Sequence, residues 1–388
     1  TTVQNKELFS SSLAYAQAIA LKTSRGTKAY IDDFMVYVGT GKAPANITKE
    51  DVTYKLPVSE DYGTQLKVMS LNSLFSDQTL DVFGDGMTRA THMYNVVSGF
   101  RPDIVGFQER SSTNRTTITS VIAADAGYAV VDDYRTDTTV ANVTTMVPIL
   151  YSTTRFTLVE NAASNNNIAH GALLFNDSYN VIGMTASQKA SYEGTKGLSW
   201  AVLKDKQTGG YVLALNTHFA LRLDSYADSY TSADAVEDRI GNANQAFEIM
   251  DKVYAVFGII PTVFTGDFNM RLNDQSYKLL STRFEDTIYA NSDFVKYEYT
   301  MSDINNPDAY KAPNAPIDHL FYTSENLTPI SYTVCKQSRE IRAVSDHIPV
   351  IGVYKVADTF APQCSHSTGI YSGTQNVTLS GPGEIYYT

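Results

Sequence analysis

Several apolar runs of this chain end on a carboxylate, an amide or an imidazole. Asn72 follows LKVMSL, Glu109 follows DIVGFQ, His218 follows VLALNT, Asp267 and Asn269 lie in TGDFN, Asp318 in PID, and Asp346 with His347 in SDHIPV. Such groups lose hydration inside a sheet core, so they gather at strand ends, where reactive side chains reach solvent. Carboxylate and amide oxygens suit a hard divalent ion, and carboxylates with imidazoles suit proton transfer. Each residue alone has an ordinary reading: Asn72 as a turn residue, Glu109 as a solvated strand end, His218 as a satisfied core histidine, Asp318 as a cap. Their order along the chain is more informative than any one of them.

The runs that carry these residues read as buried or half-buried strands: LKVMSL, DIVGFQ, VPILY, WAVL, YVLALNTH, TVFTGDF, IDHLFY and PVIGVYKV. Two helices show as stripes at spacings of three and four, one through Ala90, Met93, Val97 and Phe100, the other through Ile240, Ala243, Phe247, Met250, Tyr254 and Phe257. Several strands follow one another without a helix between, which predicts two sheets packed face to face with helices outside. The fold class is thus an α/β (α+β) sandwich.

Three zones separate on pattern: residues 1–63, 64–356 and 357–388. Only the middle zone is large enough for a complete enzyme domain. AYIDDFMVYVGTGKAP in the first zone reads as a strand and linker left from a β-sandwich module, and YSGTQNVTLSGPGEIYYT in the last as the start of a truncated chitobiase-like β-sandwich. Such flanks would attach an enzyme to glycans or a cell surface. A formal charge of −11 opposes binding of polyanions through a broad basic face, though not a local phosphate site. No apolar run approaches the roughly 18 residues of a membrane span. The start at Thr1 is expected not to be a natural one, a leader having been removed or lying upstream. Cys335 and Cys364 are too few for a disulfide scaffold and lack zinc-site spacing, so they are expected to be buried or incidental, with one bridge left open. The composition suits an extracellular bacterial protein, and the expectation is a secreted or surface-attached monomer.

Strand then Asn, strand then Gln-Glu, strand then Thr-His, Gly-Asp-Phe-Asn, Ile-Asp and Ser-Asp-His-x-Pro-Val follow one another from Thr64 to Val356. This order resembles the endonuclease/exonuclease/phosphatase superfamily, with Gly266-Asp267-Phe268-Asn269 and Ser345-Asp346-His347 as its most specific parts. The resemblance implies the deoxyribonuclease-I-like fold: two packed mixed sheets flanked by helices in four layers. It also implies a hydrolase of phosphoesters that uses Mg2+ or Mn2+, with Glu109 as principal metal ligand and Asn72 and Asp346 completing the set. Asp267 would orient or deprotonate the attacking water, Asn269 would hold a phosphoryl oxygen, Asp318 would orient His347, and His218 would donate to the phosphoryl group or leaving oxygen. Hydrolysis of a phosphoester needs this division of labour: neutralised phosphoryl charge, an activated water and a protonated leaving oxygen.

Departures from the family pattern also matter. Where relatives often carry an Arg, this chain has Lys196, a point charge without a bidentate fork. No acid that would orient His218 precedes Val147, where the chain reads Ala-Asn-Val-Thr-Thr-Met. Arg271, beyond Gly-Asp-Phe-Asn, resembles a second phosphate contact of inositol polyphosphate phosphatases, yet Ala315-Pro316-Ile317-Asp318-His319 lacks their Trp-Cys-Asp-Arg segment. The expected activity is therefore a phosphatase or phosphodiesterase acting on a phosphate ester. A deoxyribonuclease-I-like endonuclease is the nearer alternative, less favoured by the charge, and a non-catalytic surface-binding module the remote one.

Overall fold

In a computed structural model of the chain, the residues described are 65–74, 81, 86–110, 127–131, 147–175, 196–220, 233–290, 300, 316–335, 344–357, 363–364 and 379–380. The chain divides into two compact units, Thr1–Val58 and Ser59–Thr388. The first unit, with the strand expected around Ala29–Pro44, lies outside the described residues. Of the expected C-terminal module, only the antiparallel pair Gln363–Cys364 and Leu379–Ser380 is described.

Two mixed sheets form the second unit. The six-stranded sheet contains β1 (Gln65–Asn72), β2 (Ile104–Gln108), β3 (Tyr128–Val131), β4 (Ile149–Ser152), β12 (Leu327–Val334) and β13 (Val350–Val356), in the order β12-β13-β1-β2-β4-β3. The seven-stranded sheet contains β5 (Phe156–Leu158), β6 (His170–Leu174), β7 (Gly197–Asp205), β8 (Tyr211–His218), β9 (Thr262–Asp267), β10 (Glu285–Asp286) and β11 (Asp318–Tyr322). Its order is β10-β11-β9-β8-β7-β5, with β6 also on β7. The eight runs read from sequence all appear as strands, whereas β3, β5, β6, β10 and β12 carried too little pattern to be read.

Each sheet has one parallel pair, β1 with β2 and β8 with β9. A parallel pair requires a crossover, and the two helical stripes supply it: α1 (Arg89–Phe100) joins β1 to β2, and α2 (Ala233–Phe257) joins β8 to β9. The Thr88 hydroxyl starts α1 by accepting from the Thr91 N–H at 3.2 Å, and Arg101 ends it in the left-handed region at φ 46°. A shorter helix, α3 (Gln275–Leu280), follows β9 behind the cap Asp274.

Strand alternation builds three apolar layers from these elements. Leu66, Val68, Ile104 and Tyr354 of one sheet meet Leu203, Val212, Ala214, Val263 and Leu320 of the other. The opposite faces pack on the helices, Met69, Leu71, Val105 and Phe107 against Met93 and Val97 of α1, and Val202, Leu213, Leu215 and Phe264 against Ala243, Phe247 and Met250 of α2. The result is the α/β/β/α stack. Cys335 is a buried free thiol in the α1 layer. Among the described residues, no helix is long and apolar enough to cross a membrane.

One buried histidine lies on the helix-facing side of its sheet. His319 Nδ1 stands 2.8 Å from Asp286 Oδ2. Burial by itself lowers the His319 pKa, but Asp286 outweighs burial and holds it above 6.5. A raised native pKa gives stability that is complete below the unfolded value and is lost as pH rises through the native one. The melting temperature of the parent should therefore fall more than that of His319→Gln as pH is raised from below 6.5. Parallel curves for the two proteins would show that the pair does not contribute.

Candidate active site

The space between the sheets changes character along the strands. On the facing side of β1, Leu66 and Val68 give way to Ser70 and Asn72; on β8, Val212 and Ala214 give way to Asn216 and His218; on β9, Val263 gives way to Thr265 and Asp267. Strand β11 runs the other way and opens with Asp318 before Leu320 and Tyr322. One end of the interface is therefore apolar and the other polar. Register aligns the polar ends, since His218 pairs with Asp267 and Asp267 with Asp318. In the opposite sheet Asn72 pairs with Gln108, so Glu109 emerges just beyond that pair.

Two of these residues hold unusual backbone conformations. Glu109 has φ 58° and Asn269 φ 47°. Non-glycine residues in this region store strain of order 1–3 kcal/mol and persist where surrounding contacts impose them. For Asn269 those contacts are its N–H to Asp267 Oδ1 at 3.0 Å and its Nδ2 to Phe219 O at 3.0 Å. For Glu109, the Asn72 amide donates to Oε1 at 3.1 Å.

Asn72 also donates to Asp267 Oδ2 at 3.0 Å, so a single amide spans the two sheets. Its own oxygen accepts from the Leu74 N–H at 3.0 Å, an Asx turn that fixes the amide and leaves one lone pair of that oxygen free for a ligand. Glu109, His218 and Asp267 bring their ligand atoms within 4.8 Å of one another, as do Asp267, Asp318 and His347. Asp267 belongs to both groups. Asp346 stands outside both, half-buried, with Ser345 Oγ donating to its Oδ1 at 3.3 Å. Arg271 lies two residues past Asn269 and is half-buried.

The imidazoles approach Asp267 from two directions. His218 Nε2 lies 3.2 Å from Asp267 Oδ2 and also contacts the Lys196 ammonium. His347 Nε2 lies 3.8 Å from the same Asp267 oxygen, while its Nδ1 faces Asp318 Oδ2 at 2.9 Å. The Nδ1 of His218 is buried with no hydrogen-bond partner among the described residues. Thr300, which no sequence pattern marked, donates its hydroxyl to Asp318 Oδ2 and accepts from the Asp318 N–H at 3.2 Å.

Charge explains the protonation pattern. Burial alone would raise the pKa of Asp267, but His218, then His347 and Lys196, hold its carboxyl well below the usual range. Burial likewise opposes ionisation of Glu109, yet His218, Lys196 and His347 keep it below its ordinary value. For His347, burial pulls downward while Asp318 and then Asp267 push its pKa well above the usual range, so the pair keeps its proton on the imidazole. Burial lowers Lys196 to about 8 against the pull of Asp267 and Glu109. The centre thus joins ionised carboxylates to an ammonium and a protonated imidazole. Glu109, Asp267 and Asn72 offer the oxygen-rich donor set that suits a hard divalent ion.

Residues 71–347 match the model of the Endonuclease/Exonuclease/phosphatase family, and the chain belongs to that family. Among solved structures, it is similar to an endonuclease/exonuclease/phosphatase family protein from Bacteroides thetaiotaomicron, at 21% identity and TM-score 0.54 over 75% of this chain and 97% of that one. A mannosyl-6-phosphatase of the same organism is similar at 20% identity and TM-score 0.54, over 74% of this chain and 99% of that one. The catalytic domain of human Nocturnin, solved with a sulfate anion, is similar at 15% identity and TM-score 0.50, over 76% and 95%. These likenesses concern the fold. No curated protein matches this sequence closely.

Proposed function

We propose that the chain is a divalent-metal-dependent phosphoesterase acting on a small or lipid-borne phosphate ester by attack of water on phosphorus. The observation that carries this reading is the position of Asp267, an ionised carboxylate with His218 at 3.2 Å on one side and His347 at 3.8 Å on the other. Asp267 orients the attacking water and accepts its proton. His347, held protonated by Asp318, donates to a phosphoryl oxygen, and His218 donates toward the phosphoryl group or leaving oxygen from the other side. Asn269 holds a further phosphoryl oxygen, and Lys196 supplies positive charge behind His218. Glu109, Asn72 and Asp346 would hold Mg2+ or Mn2+, which when bound neutralises phosphoryl charge. The net charge of −11 favours such an ester over a nucleic acid substrate.

Chelation should abolish turnover, and Mg2+ or Mn2+ should restore it. Glu109→Gln should weaken Mn2+ binding, read by calorimetry, by at least about tenfold, the lower end of what is seen even for groups one shell behind a metal. Full turnover in metal-free protein, or parental Mn2+ affinity in the variant, would sink the assignment. Assays on plasmid DNA, inositol phosphates, sphingomyelin, simple diesters and a sugar phosphate decide the substrate class. The sugar phosphate is included because a similar structure bears the name of a mannosyl-6-phosphatase. Preferential cleavage of plasmid DNA would favour the endonuclease reading.

A further inference from the structure

Directly beneath the catalytic cluster lies a second polar layer that belongs to none of the three apolar layers. Ser70, Thr265 and Asn216 each precede a site residue by two on the same strand face, Asn72, Asp267 and His218 respectively, and Gln108 directly precedes Glu109. At its centre, Asn216 Oδ1 accepts from Gln108 Nε2 at 2.7 Å and from Thr265 Oγ1 at 2.9 Å. Its Nδ2 donates to Phe107 O at 2.6 Å and Pro148 O at 3.1 Å. An amide side chain offers two donors and two lone pairs, so Asn216 is fully used, with two of its four partners in β2 of the opposite sheet and a third, Pro148, just before β4 of that sheet. The approach is close. A Cβ on Gly106 of β2 would lie 1.9 Å from Thr265 Oγ1 and 2.4 Å from Asn216 Oδ1.

Apolar faces attract without direction, so the core formed by Leu66, Val68, Val212 and Ala214 does not by itself fix how one sheet is set against the other. Directional bonds in a dry interior do, and they reinforce one another. We infer that Asn216 is a positioning residue: through Gln108 and Thr265 it sets the gap between Glu109 on one sheet and Asp267 with His218 on the other. This rests on the phosphoesterase reading above. Misplacement of reacting groups by about 1 Å lowers turnover by about 100-fold, so the effect should fall on kcat rather than on KM.

The test compares Asn216→Ala, Thr265→Val and Thr265→Ser with Val212→Ala, which removes apolar volume from the same face of β8 at its far end. Readouts are kcat, KM, Mn2+ affinity by calorimetry and melting temperature. Asn216→Ala should lose about 100-fold in kcat with little change in KM, and should bind Mn2+ about 10–100-fold more weakly. Thr265→Val should move the same way by less, and Thr265→Ser, which keeps the hydroxyl, should recover parental values. Val212→Ala should lower the melting temperature and leave kcat and Mn2+ affinity unchanged. Parental kcat and Mn2+ affinity in Asn216→Ala, or equal losses in Val212→Ala, would overturn the inference. Should Asn216→Ala not fold, the Thr265 pair decides, and identical behaviour of Val and Ser would overturn it. A parent that binds Mn2+ without hydrolysing any ester refutes the functional reading alone, because the affinity comparison still stands; a parent that does neither overturns both.

Discussion

Asp267→Asn should lower turnover of the best phosphoester by about 100- to 10,000-fold, the range that a positioned acid or base contributes. Shape is nearly conserved, so the loss measures charge and basicity. Asp267 is the one carboxylate shared by both clusters, and its ionised form is what His218, His347 and Lys196 surround. Removing one partner from a buried charge cluster leaves the others uncompensated at a cost of about 3–5 kcal/mol, so the melting temperature at neutral pH should fall as well. The pH dependence gives an internal check. Because the native pKa lies below the unfolded value of 3.8, Asp267 contributes stability above that value and loses it as pH falls through the native one. The Asn variant should lack that part of the acid transition. Turnover within tenfold of the parent would remove Asp267 from the chemistry.

The second large effect belongs to Asp318 and His347 as a unit. His347→Ala should also cost about 100- to 10,000-fold in kcat, since the protonated imidazole is lost. Asp318→Asn should cost less alone, and the double variant little more than His347→Ala, because groups that act as one are non-additive. The carboxylate lies 2.9 Å from His347 Nδ1, with Thr300 completing its hydrogen bonds, so its work passes through that ring. Losses that simply add would show two independent roles.

What sequence revealed of this architecture follows from how local each signal is. Strands such as Tyr211–His218 and helices such as Ala233–Phe257 carry many apolar residues at a fixed period, and the polar residue closing each run marked a strand end. Strands β5 and β10, three and two residues long, are too short to show any period. Thr300 and Asn216 act through partners 18 and 109 residues away, Asp318 and Phe107, and spacing along one strand does not encode such contacts. A clue was nevertheless present for Asn216: in YVLALNTH it occupies the parity of Val212 and Ala214, and a polar residue at a core-facing parity requires a partner across the interface. The resemblance to the family assigned roles to Asn72, Glu109 and Asp346 as a ligand set. Geometry adds that Glu109 also lies with His218 and Asp267, ligand atoms within 4.8 Å of one another, an arrangement that needs both the pairing of β8 with β9 and the packing of one sheet on the other.

The place of β13 has a consequence in time. This strand lies between β12 and β1, inside the six-stranded sheet, and it comes directly after the segment that carries Asp346 and His347. Its pairing with β1 joins Gln65 to Lys355 and Ser70 to Val350, contacts between the first and the last strand of the two large sheets. Pairings of such sequence separation form late, because the intervening chain must close a long loop first. A growing chain can assemble the α1 and α2 crossovers well before it has the histidine that pairs with Asp318. Until the segment from Asp346 to Val356 has been made, β1 lacks its β13 partner and Asp318 lacks the imidazole of His347. The candidate site is thus complete only with the strand that follows His347 in the chain.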